Sequence, residues 1–286
     1  PRLARDPRLR FLPDEGAVLS AAPPLPAPDA PPEIRLLGLR KAFGPKVVLD
    51  GLDLTIAKGD SIVILGKSGT GKSVLLKHMI GLMAPDAGTV EVEGEDFWSA
   101  SLSRRDEMRR RFGMSFQEGA LFDSMSVGEN IAFALKRHTR MTPAEVSDRV
   151  AECLALVRLE GIEGKRPSEL SGGMRRRVGF ARAIALKPEI LLFDEPTTGL
   201  DPITTDALAR VMIRLRDRLN PTMVTITHDL KVAFAVAERV ALLDAGRIQA
   251  DLPPGEFEAS DDPRVAAFVR GDGSEEAGDR REEVPE

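Results

Sequence analysis

Residues Ser61–Ser73 read SIVILGKSGTGKS. After Ser61 the run Ile62–Leu65 has no polar break, as expected of a strand buried on both faces of a parallel sheet. Glycines then recur at Gly66, Gly69 and Gly71, and Ser73–Met83 (SVLLKHMIGLM) resumes with helical apolar spacing. Glycine lets the chain curl so that successive N–H groups face one point. A helix that starts there adds bare amides and the positive end of its dipole. Residues 66–73 fit G-x-x-x-x-G-K-[ST], in which lysine brings charge to the outer phosphates and the last hydroxyl ligates Mg2+. The stretch predicts a phosphate loop formed by Gly66, Lys67, Ser68, Gly69, Thr70, Gly71, Lys72, Ser73 and Val74.

Working outward, Ile190–Phe193 (ILLF) is a second apolar run, and it ends in Asp194-Glu195. Carboxylates at the end of a buried strand fall at the edge of the sheet where the phosphate loop lies. Asp194 is the candidate for holding Mg2+, together with Ser73. Glu195 is the candidate base for an attacking water. Met223–Thr227 and Val240–Asp244 read as further strands, the latter turning through Ala245-Gly246 into Arg247–Ala250. Val47–Ile56 reads as strands with a turn at Asp50-Gly51. Strands alternating with helices predict an α/β fold with a mostly parallel sheet, the core of a P-loop NTPase.

Between the two phosphate motifs lies Leu170-Ser171-Gly172-Gly173-Met174. Physically, Ser171-Gly172-Gly173 is another helix start with bare amides, a second anion site. Here the chain resembles the ATP-binding-cassette (ABC) ATPases over nearly all of residues 34–250. The resemblance implies a RecA-like core, an antiparallel β subdomain and an inserted helical subdomain at about 118–170. It also implies a homodimer in which Ser171, Gly172 and Gly173 complete the opposite subunit's ATP site. Phe43 matches the aromatic that stacks on adenine, and Gln117 the glutamine that senses Mg2+ and the membrane partner. Gly199-Leu200-Asp201 matches the loop that crosses the dimer interface, and His228 the histidine on the γ-phosphate. Catalysis is thus expected from Lys72, Gln117, Glu195 and His228, with ATP and Mg2+ bound. Met174 departs from the family's usual glutamine.

Phe116–Met125 (FQEGALFDSM) and Leu170–Val178 (LSGGMRRRV) look like the MlaF-like ATPases of Mla/Mce-type lipid transport. That implies an MlaE-type integral permease and an MCE-domain lipid-binding protein as partners. Leu121 and Phe122 are then candidates for permease docking, or for burial in the helical subdomain. The alternatives are an importer ATPase for a small polar solute and a soluble ABC ATPase without a permease.

Composition narrows the classes further. The 286 residues carry 40 Lys+Arg against 45 Asp+Glu, a mildly acidic balance that does not fit a nucleic-acid binder. The single cysteine, Cys153, excludes an internal disulfide and fits a reducing compartment. It shares a helical stripe with Val146, Val150, Leu154 and Val157, so it reads as core. The capping box Thr142-Pro143-Ala144-Glu145 opens that helix, and Gly161 is expected to end it. Arg104–Arg111 reads as a solvated helix face with local ion pairs, and Arg175–Arg177 mostly as surface, with one of the three a candidate for positive charge near the partner's γ-phosphate.

No stretch is long and apolar enough to span a bilayer, and the arginine-bearing start does not read as a signal peptide. The expected location is the cytoplasmic side of the inner membrane, peripheral through the permease. Residues 1–33 hold nine of the 21 prolines and read as a disordered extension. Residues 271–286 hold seven acids and two arginines, so the chain's whole net charge of −5 sits in a predicted disordered tail. The folded ATPase domain is expected at 34–270.

Overall fold

The computed structural model describes residues 33–117 and 119–271. The Pro-rich extension up to residue 32, Glu118 and the acidic tail from residue 272 lie outside them. Two sheets organise the chain. Strands β1 (Ile34–Phe43), β2 (Lys46–Ile56), β4 (Ala87–Val92) and β5 (Glu95–Asp96) form an antiparallel sheet in the order β2-β1-β4-β5. Strands β3 (Ser61–Leu65), β6 (Phe112–Ser115), β7 (Ile190–Asp194), β8 (Thr222–Thr227), β9 (Arg239–Asp244) and β10 (Arg247–Leu252) form the larger one, ordered β10-β9-β3-β8-β7-β6. Its pairs are parallel except β10 on β9. This is the expected α/β architecture.

The unbroken apolar character of SIVIL has a direct reading in the core. Ile62 and Ile64 point into one buried cluster with Leu36, Leu52, Leu75 and Val90. Val63 and Leu65 point into the other, with Phe180, Phe193, Leu208 and Val240. The large sheet is therefore covered on both faces. One cover is the antiparallel sheet with helix α1 (Lys72–Met79). The other comprises α3 (Val127–His138), α4 (Pro143–Leu156), α5 (Gly172–Ala183), α6 (Pro202–Leu219) and α7 (Leu230–Val236). Helix α2 (Leu102–Arg110) precedes β6, while α8 (Pro254–Glu258) and α9 (Pro263–Arg270) follow β10.

Helix α4 starts where its capping box places it, with the Thr142 hydroxyl accepting from Glu145 N and the Glu145 carboxylate from Thr142 N. Its stripe Val146, Val150, Cys153, Leu154 and Val157 is buried, and burial pushes the Cys153 thiol up to about 11. Arg149 on the same helix is buried too, donating to the carbonyls of Ile184 and Ala185 at the end of α5. Arg149 thus satisfies carbonyls that α5 leaves bare.

Several local expectations change. Asp50-Gly51 is not a turn: β2 runs straight through it, and Gly51 (φ +71) is a bulge where Arg40 pairs with Asp50 and Leu39 with Leu52. An Asp-Gly pair suits either feature, because both need a residue at positive φ. The hairpin turn lies instead at Gly44-Pro45. Helix α1 stops at Met79, short of Met83, with Gly81 left-handed just beyond. Helix α4 stops at Leu156, and Arg158 (φ 56) takes the left-handed position expected of Gly161.

Within the arginine run, Arg104 pairs with Glu107 and Arg109 with Asp106, as a solvated face predicts. Arg111 does something different. It bonds Glu33 before β1, Glu93 after β4 and Glu189 before β7, tying the two sheets together. Burial pushes the Glu33 carboxyl above the usual range, and the Arg111 charge opposes that shift.

Gly113 in β6 marks a tight seam of this packing. A Cβ there would lie 2.3 Å from the Ala183 carbonyl oxygen and 2.8 Å from Pro188 Cγ. Gly113→Ala must therefore push the end of α5 off the sheet. Overpacking of this kind costs about 2–3 kcal/mol, which lowers Tm by roughly 4–12 °C in a domain of this size. Thermal unfolding followed by calorimetry checks it; an unchanged Tm would show that the seam can relax freely.

Candidate functional site

Parallel strands laid side by side bring their carboxyl ends to one edge of the sheet. Here β3 runs into the loop Gly66–Gly71 and α1. Its neighbour β8 runs into His228, and β7, on the far side of β8, ends at Asp194-Glu195. The three segments meet although more than a hundred residues separate the first from the others.

The glycines of the loop are required by space as well as by curvature. A Cβ at Gly66 would sit 2.6 Å from the Leu243 carbonyl oxygen, and one at Gly71 (φ +100) 2.7 Å from Val48 Cγ1. Lys72 is buried, its ammonium donating to the carbonyls of Gly66 (2.6 Å) and Lys67 (3.0 Å). The same nitrogen lies 3.3 Å from Glu195 Oε1. Glu195 Oε2 accepts from Thr198 Oγ1 at 2.8 Å, and His228 Nδ1 is 2.9 Å from it. Glu195 therefore has partners from the phosphate loop, its own loop and the end of β8.

Ser73 donates to Asp194 Oδ1 at 3.1 Å. Burial pushes the Asp194 carboxyl up; the Ser73 hydrogen bond opposes that shift and the charge of Glu195 adds to it. A half-buried carboxylate beside a hydroxyl oxygen is a hard donor set suited to Mg2+. A bound cation would stabilise the charged form. The residues present fit the metal.

A cavity of about 820 Å³ opens over this edge. Its wall includes Phe43, Lys67, Ser68, Gly69, Gly71, Lys72, Ser73, Val74, Gln117, Glu195 and His228. Phe43 is 47% exposed at the rim, where an aromatic face is free to stack. Gln117 is exposed, next to Glu118. Gly66, Thr70 and Asp194 sit just behind this wall, the Thr70 hydroxyl donating to Lys67 O.

Ser171, Gly172 and Gly173 are not brought to this cavity. They form the first turn of α5, with Ser171 as its N-cap accepting from Met174 N at 3.3 Å. A Cβ on Gly173 would meet Thr204 Cγ2 at 2.4 Å, so this glycine also lets α5 approach α6. Asp201 caps α6 through Ile203 N and Thr204 N.

Part of the wall carries no sequence motif. Lys46, Val48, Thr198 and Leu230 contribute, as do Ala267, Phe268 and Gly271 from the end of α9. Nothing in the spacing of these residues points to a common site. Arg176 and Arg177, expected at the surface, are half-buried and bonded to backbone carbonyls.

A family profile described as ABC transporter matches residues 49–198, from the middle of β2 to just past Glu195. The chain belongs to the ABC transporter family. It is 39% identical over 228 residues to the intermembrane phospholipid transport system ATP-binding protein MlaF of Escherichia coli, covering 80% of this ABC chain and 85% of MlaF. It is 41% identical over 238 residues to "Probable ribonucleotide transport ATP-binding protein mkl" of Mycobacterium tuberculosis, covering 83% and 66%. The sulfate/thiosulfate import ATP-binding protein CysA of Caulobacter vibrioides is 42% identical over 240 residues, covering 82% and 69%. The chain thus spans about two thirds of the length of the mycobacterial relatives it matches. Among solved structures, the dimeric cassette MJ0796 in a post-hydrolysis state with ADP and Pi superposes with a TM-score of 0.70 at 30% identity, covering 77% of this chain and 98% of that one. For cbiO1 of Clostridium perfringens, part of the transporter complex cbiONQ, the values are 0.74 and 25%, covering 84% and 96%.

Proposed function

We propose that this ABC chain hydrolyses ATP as one subunit of a homodimer and drives lipid transport through an MlaE-like integral permease, with an MCE-domain lipid-binding protein. The observation carrying the lipid reading is the match to MlaF, which spans 85% of that protein at 39% identity. The similar identity to CysA favours a second reading, import of a small polar solute, but that match spans only 69% of its length. No described helix is long and apolar enough to cross a membrane, so the proposed attachment to the inner membrane's cytoplasmic face runs through the permease.

In this reading the phosphate-loop amides, Lys72 and the start of α1 hold the β- and γ-phosphates, and Phe43 stacks on adenine. Ser73, Gln117 and Asp194 would hold Mg2+, whose chemistry is to stabilise charge on the phosphate oxygens. Water attacks the γ-phosphorus in line, forming one O–P bond as the bond to the ADP oxygen breaks. Glu195 takes the proton the water loses. His228, whose Nδ1 lies 2.9 Å from Glu195 Oε2, is proposed to contact the γ-phosphate. Ser171–Gly173, which do not line the cavity of their own chain, offer their amides to the nucleotide of the second subunit.

The helical segment at about 118–170 is proposed as the arm that meets the permease. The docking alternatives divide there: Leu121 packs half-buried against the core, while Phe122 is 43% exposed with its ring 5.1 Å from that of Phe133. This aromatic ledge is the proposed contact.

The test is isolation of the tagged full chain from its own membranes in mild detergent. An integral permease and bound phospholipid are the expected companions. A soluble dimer with full ATPase activity and no membrane partner would overturn the transport reading, and a permease with a periplasmic solute-binding protein would favour the second.

A further inference from the structure

Glu195 has an unusual backbone. Its φ of 45° lies in the left-handed region that side-chain-bearing residues avoid, so the surrounding structure must hold it there. On one side the sheet does so, with Glu195 N donating to Ile226 O at 3.0 Å. On the other side the anchor is one side chain from another helix. Arg176 Nη1 donates to the carbonyls of Glu195 and Pro196, each at 2.9 Å, and its Nη2 to that of Thr198 at 2.5 Å.

Three carbonyls from four consecutive residues thus converge on one planar guanidinium. A lysine ammonium, with three donors on a point, could not match that spread with the same fixed geometry. Thr198, whose carbonyl Arg176 holds, is also the residue whose hydroxyl donates to Glu195 Oε2. The loop's far end meets the same helix, because Gly172 and Gly173 pack against Leu200 and Thr204.

We infer that Arg176 is a positioning residue for Glu195, and that it links the carboxylate to the helix whose first turn bears Ser171–Gly173. The inference rests on Glu195 acting as the base. Its consequence is mechanical. Arg176 lies five residues from Ser171 on α5, so a ligand that shifts the first turn of α5 moves Arg176 and the carbonyls it holds.

The experiment compares steady-state ATPase kinetics of the full chain with Arg176→Met, Arg176→Lys and Glu195→Gln, alone and combined. Arg176→Met keeps the stem's packing and removes the donors. It is expected to lower kcat roughly 10- to 100-fold with KM for ATP within about threefold, a pattern that marks lost transition-state positioning. Arg176→Lys should fall between it and the parent. In the Glu195→Gln background, Arg176→Met should change the residual rate by less than about twofold, since no base is left to misplace.

A kcat for Arg176→Met within twofold of the parent overturns the inference. So does an equal loss in both backgrounds, which would mark a general structural role. Should Arg176→Met fail to fold, Arg176→Lys is read by the same two comparisons. If Glu195→Gln itself keeps the parent kcat, the role of Glu195 falls, and the inference with it. That result is separate from any measured on Arg176.

Discussion

Glu195→Gln is expected to bind ATP and hardly hydrolyse it. Glutamine preserves the size of the side chain, and its amide oxygen can still accept from Thr198, as Glu195 Oε2 does at 2.8 Å. What it lacks is the ability to take a proton from water. Positioned general bases contribute about 10²–10⁴ in rate, and loss of one preorganised polar contact costs a comparable factor. A fall in kcat of about 10²–10³ is expected, with nucleotide affinity within a few-fold of the parent. Because the bound nucleotide then persists, chains held together by it should accumulate as a dimer in ATP and Mg2+, measurable by light scattering. Near-normal hydrolysis would remove Glu195 from the mechanism and leave its partners Lys72, Thr198 and His228 as a structural cluster.

What the sequence could and could not reveal follows from where each requirement is written. The phosphate loop is legible because its chemistry constrains residue types at fixed spacing: glycine at positions 66 and 71, where a Cβ would strike Leu243 O or Val48. Asp194 and Glu195 are legible as acids ending an apolar run. That β8 lies between β3 and β7 is not legible, since strand order depends on how all faces pack at once. The anchoring role of Arg176 is not legible either, because its partners are carbonyl oxygens, which every residue carries and no motif records. The same is true of Arg149 at the end of α5. Ala267, Phe268 and Gly271 reach the cavity through the return of a distant helix, with no local pattern to announce it. The Asp50-Gly51 bulge shows the reverse case, a clear local signal that suits two structures until the partner strand decides.

Lys72→Ala is expected to affect binding before chemistry, because in the proposed mechanism the lysine already holds the phosphates in the ground state. Its side chain is 6% exposed, and its ammonium has two carbonyls and the Glu195 carboxylate around it. A phosphate oxygen entering the loop competes with Glu195 for the same charge, and the two carbonyl bonds keep the ammonium aimed while it exchanges. Hydrogen bonds to charged groups contribute about 1.5–3 kcal/mol each, so losing this contact should weaken ATP binding by roughly 10- to 100-fold. Alanine also leaves the Gly66 carbonyl without the lysine's donor, which water entering the open cavity can replace, while Lys67 O keeps the Thr70 hydroxyl. The fold should therefore persist, and circular dichroism should be unchanged while titration with a fluorescent ATP analogue shows the loss. Glu195→Gln and Lys72→Ala are thus expected to fail oppositely, the first trapping nucleotide and the second not holding it. Equal ATP affinity in both variants would mean that the loop amides alone hold the phosphates. The contact between Lys72 and Glu195 would then serve the fold and not the substrate.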